Sequence, residues 1–163
     1  MASIMPPIPR AFFLYGEPIL ILSGVLNTLL KPTAITSMLP AHLARRPTSD
    51  PYPSPLEHLL ALQTASIMFL VVCISTAVML YATNARVVHG LVLSYAIADI
   101  PHWASLLYVL GRDGLSQWGT WDTSLWLQFF IPMLTMGIKV GYLTGAFGPD
   151  RVDSEGNAKE KSK

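Results

Sequence analysis

Asp99 and His102 stand three residues apart in the stretch from Tyr95 to Trp103, within an otherwise apolar run. On a helix this spacing turns an acid and an imidazole to similar sides, with Tyr95 and Trp103 one turn before and after the acid. Two more ionisable groups share this kind of setting: Glu17, followed by Pro18 in the first apolar run, and Lys139 in the last. A charge at bilayer depth costs at least a few kcal/mol, so such residues mark a partner or a purpose. A carboxyl group held there can carry a proton near neutral pH and deliver it to an alkene or epoxide of an apolar substrate. His102 can relay or remove a proton, because imidazole titrates near neutrality. Tyr95, Trp103 and Trp126 offer aromatic faces to a developing carbocation, and Asn27 and Gln63 offer polar contacts. The catalytic set expected from these types is Asp99, Glu17 and His102. The competing expectation is that Asp99–His102 and Glu17–Lys139 are satisfied pairs that fix helix register.

The elements that must position these groups are membrane-spanning helices. Of 163 residues, 52% are apolar and only 13% charged, whereas soluble domains carry about 25% charged residues. No polar stretch is long enough to bury a core of its own. A net charge of +1 argues against nucleic acid as a partner. Cys73 is the only cysteine, which excludes an internal disulfide and a cysteine-built metal site; a small core residue is the expectation for it. His42, His58 and His89 read as interface residues. No spacing of His, Asp and Glu makes a metal site, and no cofactor is implied.

Four apolar runs predict an all-α integral membrane bundle with spans at residues 11–30, 59–81, 87–110 and 123–147, each near or above the roughly 20 residues that cross the hydrocarbon core. Residues 1–10 are a proline-rich lead that keeps a helix from starting early. The first run is expected to be a retained span, since Glu17-Pro18 interrupts it and no small-residue cleavage site follows. Pro18 deprives the Leu14 carbonyl of its donor and is expected to kink that span. Residues 31–57 hold six prolines and form a long loop, either a lid or a passive spacer, with a short interfacial helix around residues 34–43. The connection at residues 82–86 is short enough to make spans two and three an antiparallel hairpin. Trp118 and Trp121 stand where interfacial anchors are expected. Residues 149–163 are charged and expected to be disordered.

In span four, Gly137, Gly141 and Gly145 recur every fourth residue, a stripe that lets another backbone come close. Rise per residue puts Glu17 about 9 Å and Lys139 about 12 Å from the same membrane face, with Asp99 about 18 Å in. A Glu17–Lys139 ion pair is therefore expected. It conflicts with the stripe: Lys139 lies about 200° round the helix from Gly137 and Gly141, so only one of the two faces can look inward.

An even number of spans places both termini on one side. That side would hold Arg10, Arg86, Arg151, Lys159, Lys161 and Lys163, against Lys31, Arg45, Arg46 and Arg112 on the other, which favours cytosolic termini. Lys159 and Lys161 resemble a dilysine retrieval signal of endoplasmic reticulum proteins; a merely solvated tail is the alternative.

The segments Phe12-Phe13-Leu14-Tyr15-Gly16-Glu17-Pro18, Ala98-Asp99-Ile100-Pro101-His102, and Pro132 with Thr135, Lys139 and Gly145 resemble a family of small fungal four-span membrane proteins of unassigned function. A looser similarity in size and membrane acids links the chain to emopamil-binding-like isomerases and to the fungal membrane terpene cyclases of secondary metabolism, which have more spans. These resemblances imply isomerisation or cyclisation of an apolar lipid or terpenoid. The rival expectation is a non-catalytic accessory or binding subunit that packs against a membrane partner through the glycine face. A transporter or channel ranks third.

Overall fold

The structure, a computed structural model, describes residues 4–31, 33–34 and 52–150. The interfacial helix, most of the proline-rich loop, and the charged tail from residue 151 on, with its dilysine pattern, lie outside the described residues. Within them every regular element is helical, with four long helices: α1 (Pro7–Leu30), α2 (Pro55–Tyr81), α3 (Ala85–Ser116) and α4 (Thr123–Leu143). Of these, α1, α2 and α4 are long and apolar enough to cross a membrane. The third helix is longer, but Ser94, Asp99, Pro101, His102 and Ser105 interrupt its apolar run, and it does not join that set.

Local chemistry sets the ends. Helix α1 starts at Pro7, four residues earlier than expected, because proline at the first helical position has no amide to leave unpaired. Helix α2 starts at Pro55 for the same reason, under a capping box in which Ser54 and Glu57 satisfy each other's amides. Asn84 caps α3 by accepting from the Arg86 amide, and Asp122 caps α4 by accepting from Leu125. Helix α4 stops short of the expected residue 147. Gly145 (φ +77°) adopts the left-handed conformation, its amide bonds the Tyr142 carbonyl, and the Ala146 amide reaches back to Gly141. This is a Schellman termination, so Gly145 ends the helix and is not a packing position within it.

Helix α3 is broken at Gly111, whose φ of 56° and ψ of −167° fall in a region open almost only to glycine. An ideal Cβ there meets nothing within 4 Å, so the constraint is the backbone alone. Gly111→Ala is expected to cost about 1–3 kcal/mol, read as a lower thermal midpoint of the purified protein. Gly119→Ala, equally roomy and without a positive φ, should leave the midpoint in place.

Helix α1 runs along α2, α3 runs along α4, the turn after Tyr81 joins α2 to α3, and the first residues of α1 reach α4. All four meet at the end that holds the start of α1. There Met5, Phe13, Val88, Val92 and Tyr142 are buried together, flanked by Met79, Ala82, Ile138 and Phe147. Outward faces carry Ile19, Leu26, Phe69, Leu70, Leu134 and Val140, all at least half exposed or nearly so, as a lipid-facing surface should. Cys73, expected in the core, is exposed on such a face.

Candidate functional site

Glu17 is brought inward by a widened turn. Residues Phe12–Gly16 form a π-helical segment in which the Glu17 amide bonds the Phe12 carbonyl. The turn ends immediately before Pro18, whose ring would otherwise crowd the Leu14 carbonyl in a regular helix; the expected kink takes the form of this π-bulge. Such bulges concentrate at functional sites. Phe13 and Glu17 both end up buried.

On α4, Thr135, Lys139 and Tyr142 are buried in register, the i, i+4, i+7 stripe of an inward face. The Lys139 side chain is 3% exposed, and its Nζ lies 2.9 Å from Glu17 Oε1 and 2.8 Å from Asp99 Oδ2. One amine from α4 thus ties a carboxylate from α1 to another from α3. Both contacts have the short length of charge-assisted hydrogen bonds. The expected Glu17–Lys139 pair is present, and Asp99 completes it as a third member. The Glu17 side chain is 6% exposed and that of Asp99 20%, so Asp99 is the more accessible of the two acids. Asp99 Oδ1 makes no hydrogen bond among the described residues. The Lys139 Nζ also stands 5.9 Å from the centre of the Tyr95 ring. The Tyr95 hydroxyl donates to the Val71 carbonyl of α2 at 3.0 Å, which fixes α3 against α2 at this level.

The conflict between Lys139 and the glycine stripe is resolved in favour of Lys139. Its face looks inward and the stripe looks outward. Gly137 is exposed with nothing near its Cβ position, and Gly141 is covered by the Phe147 ring of its own chain, whose Cε2 would lie 2.9 Å from an added Cβ. The expected role of Gly137, Gly141 and Gly145 in packing the four helices together is therefore corrected. A buried charge with two partners outweighs a small-residue stripe that has free surface to face.

His102 is exposed and makes no side-chain hydrogen bond to Asp99 among the described residues. Asn27 and Gln63 are likewise exposed, on outer surfaces of α1 and α2. None of the three joins the Glu17–Lys139–Asp99 cluster. Trp103 and Trp126 enter one aromatic file: the Trp103 ring lies 6.1 Å from Phe129, Phe129 stacks 4.8 Å from Trp121, and Trp121 lies 4.8 Å from Trp126. The file occupies the α3–α4 pair on the side of the cluster away from the shared core. The Trp121 indole is fixed by donating to the Gly114 carbonyl at 2.9 Å.

A second polar group was not foreseen. Beyond the Gly145 turn, Asp150 Oδ2 meets His89 Nε2 at 2.9 Å, and the buried Tyr142 hydroxyl donates to Asp150 Oδ1 at 3.1 Å. This folds residues 145–150 back over the ends of α3 and α4. The signal for Tyr142 was its place three residues after Lys139, on the same helix face. Among the described residues no group of three or more His, Cys, Asp and Glu is placed to hold a metal ion.

Chemically, the cluster offers a partly exposed acid beside a fixed positive charge, with the Tyr95 ring 5.9 Å from the ammonium. No curated protein and no solved structure matches the chain. Across residues 2–149 it matches the family described as Domain of unknown function (DUF7704), and the chain belongs to that family.

Proposed function

We propose that the protein is a four-span membrane protein whose Glu17–Lys139–Asp99 cluster is an acid–base site for an apolar lipid or terpenoid, with isomerisation or cyclisation as the reaction class. Helix α3 is the fourth span in this reading. It supports this that α3 lies along α4, is tied to α2 by Tyr95, and carries its acid onto an amine of a membrane-length helix. The endoplasmic reticulum, cytosolic termini and a fungal secondary pathway belong to the same proposal, carried by charge distribution and resemblance alone.

The observation that carries the reaction is the shared amine. Two carboxyl groups share one ammonium, which can balance only one negative charge at a time. Asp99 is the more accessible acid, so the reacting proton is used there. The Asp99 O–H bond breaks as a C–H bond forms on an alkene carbon of the substrate. The Lys139 ammonium stabilises the carboxylate left behind, and the aromatic file faces the carbocation. Loss of a proton from a neighbouring carbon back to Asp99 restores the acid and gives the shifted alkene. No redox partner or co-reactant enters this balance. His102 has no role in it.

Run in heavy water, such a cycle places solvent deuterium on carbon. Vesicles holding the wild-type protein and a membrane lipid extract should accumulate deuterium in one lipid, by mass spectrometry. Asp99→Asn, which keeps the shape and the bond from Lys139, should reduce uptake at least about 100-fold at equal protein level, as loss of a general acid does. Uptake that survives this change, or no uptake in the wild type, would end the catalytic reading.

Those outcomes would favour a second reading, the accessory subunit. A shallow apolar groove on the outer face of α4, lined by Phe130, Met133, Leu134, Gly137, Ile138 and Phe147, supports it. There the cluster acts only as a clamp between helices.

A further inference from the structure

We infer that the ligand of this site is an alcohol, an apolar molecule whose hydroxyl group is held by Glu17 and Trp103. The inference rests on the pocket reading above and adds the polar group by which the ligand is gripped. Glu17 Oε2 and Trp103 Nε1 are both buried and both lack a hydrogen-bond partner among the described residues. Glu17 is 4% exposed as a whole residue, and its other oxygen is already committed to Lys139. Native proteins seldom leave such atoms unmet, so each one asks for an explanation.

The two atoms have opposite needs. A carboxylate oxygen only accepts, and an indole N–H only donates. They belong to one neighbourhood: Trp103 follows Asp99 by four residues, about 6 Å along the helix axis, and Asp99 and Glu17 are bound to the same amine. A hydroxyl is the smallest neutral group that donates and accepts at once. Other polar groups fit less well. A phosphate or carboxylate would set a further anion beside a single ammonium that already serves two carboxyl groups. An ether or ketone oxygen satisfies Trp103 and leaves Glu17 unmet. An ammonium satisfies Glu17 and leaves the indole unmet. The Phe129, Trp121 and Trp126 file that continues from Trp103 is apolar and suits the hydrocarbon body.

The test uses the full-length protein purified in mild detergent and four probes with one isoprenoid skeleton: farnesol, farnesyl methyl ether, farnesylamine and farnesene. Each competes for labelling against a diazirine-bearing farnesol analogue. Farnesol is expected to compete about 5- to 10-fold better than the ether or farnesene, the ratio that one hydrogen bond supplies. Trp103→Phe keeps the ring and removes the N–H; it should erase most of that preference while leaving farnesene unchanged. If all four probes compete equally, or the amine competes best, the alcohol inference is overturned and the pocket stands. If none competes and the photoprobe labels nothing, the pocket reading falls and takes this inference with it.

Discussion

Lys139→Met is expected to be the most damaging single replacement in the membrane-embedded part of the protein. Methionine fits the space of the aliphatic stem but leaves Glu17 and Asp99 facing each other with no cation. Breaking a buried ion pair by removing one partner costs about 3–5 kcal/mol, and here one amine serves two acids. The variant should accumulate poorly, and whatever is purified should melt roughly 10 °C below the wild type. The acids do not behave symmetrically with the base. Glu17→Gln leaves the Lys139–Asp99 pair intact at 2.8 Å and balanced in charge, so its cost should be about 1 kcal/mol, the net worth of one hydrogen bond. In the Lys139→Met background, Glu17→Gln and Asp99→Asn should each restore part of the loss, and together most of it. Thermal melts of these five variants and the wild type in one detergent check the order. A Lys139→Met protein that melts with the wild type, or acid replacements that fail to rescue it, would show that the amine does not join the helices.

How much of this was legible in the sequence depends on the range over which each rule acts. Membrane-length helices follow from apolar runs, and α1, α2 and α4 have the length and hydropathy to cross a membrane. Rise per residue put Glu17 and Lys139 at one depth, because depth is a property of a single helix. Azimuth is another matter. Lys139 and the glycines occupy nearly opposite faces of α4, and nothing within α4 says which face meets neighbours. The i, i+3 rule is local, and it pairs Asp99 with His102. A full charge on another helix is a stronger partner than an exposed imidazole one turn away, and Asp99 went to Lys139. The ends went astray where a general rule met a position-specific one. Proline blocks helix interiors, yet Pro7 and Pro55 sit at first turns where they are favoured. Gly145 fits the repeat by spacing, although its role is to stop the helix. That stop also sends the chain back so that Asp150 reaches Tyr142 and His89, a contact between distant residues that no periodicity reveals.

Phe13→Ala is expected to approach the effect of Lys139→Met by a different route. Phe13 is 0% exposed and lies within one cluster with Met5, Val88, Val92 and Tyr142. Its ring packs edge-on against Phe12 at 5.3 Å and Tyr142 at 6.4 Å. Truncating a buried phenylalanine costs about 3–5 kcal/mol. Within a membrane little of this is hydrophobic transfer; it is lost dispersion contact at a point where lipid cannot fill the gap. Ile19→Ala, at a position 64% exposed on the outer face of α1, should by contrast change the melting temperature by no more than about 1–2 °C. The further consequence concerns the site. Phe13 precedes Glu17 by one helical turn, and Tyr142 follows Lys139 by nearly one, so the core seats the same two helices that the ion cluster joins. A looser seat should weaken the hold of Lys139 on Glu17. Phe13→Ala and Glu17→Gln should then combine with a coupling of about 0.5–3 kcal/mol, as neighbouring sites do. The double variant would lose less than the sum of the single losses, because the ion pair is already partly relaxed when the ring is gone. Strict additivity in the four-protein cycle would mean that core and cluster hold the helices independently, and the geometry of the acid site would then owe nothing to Phe13.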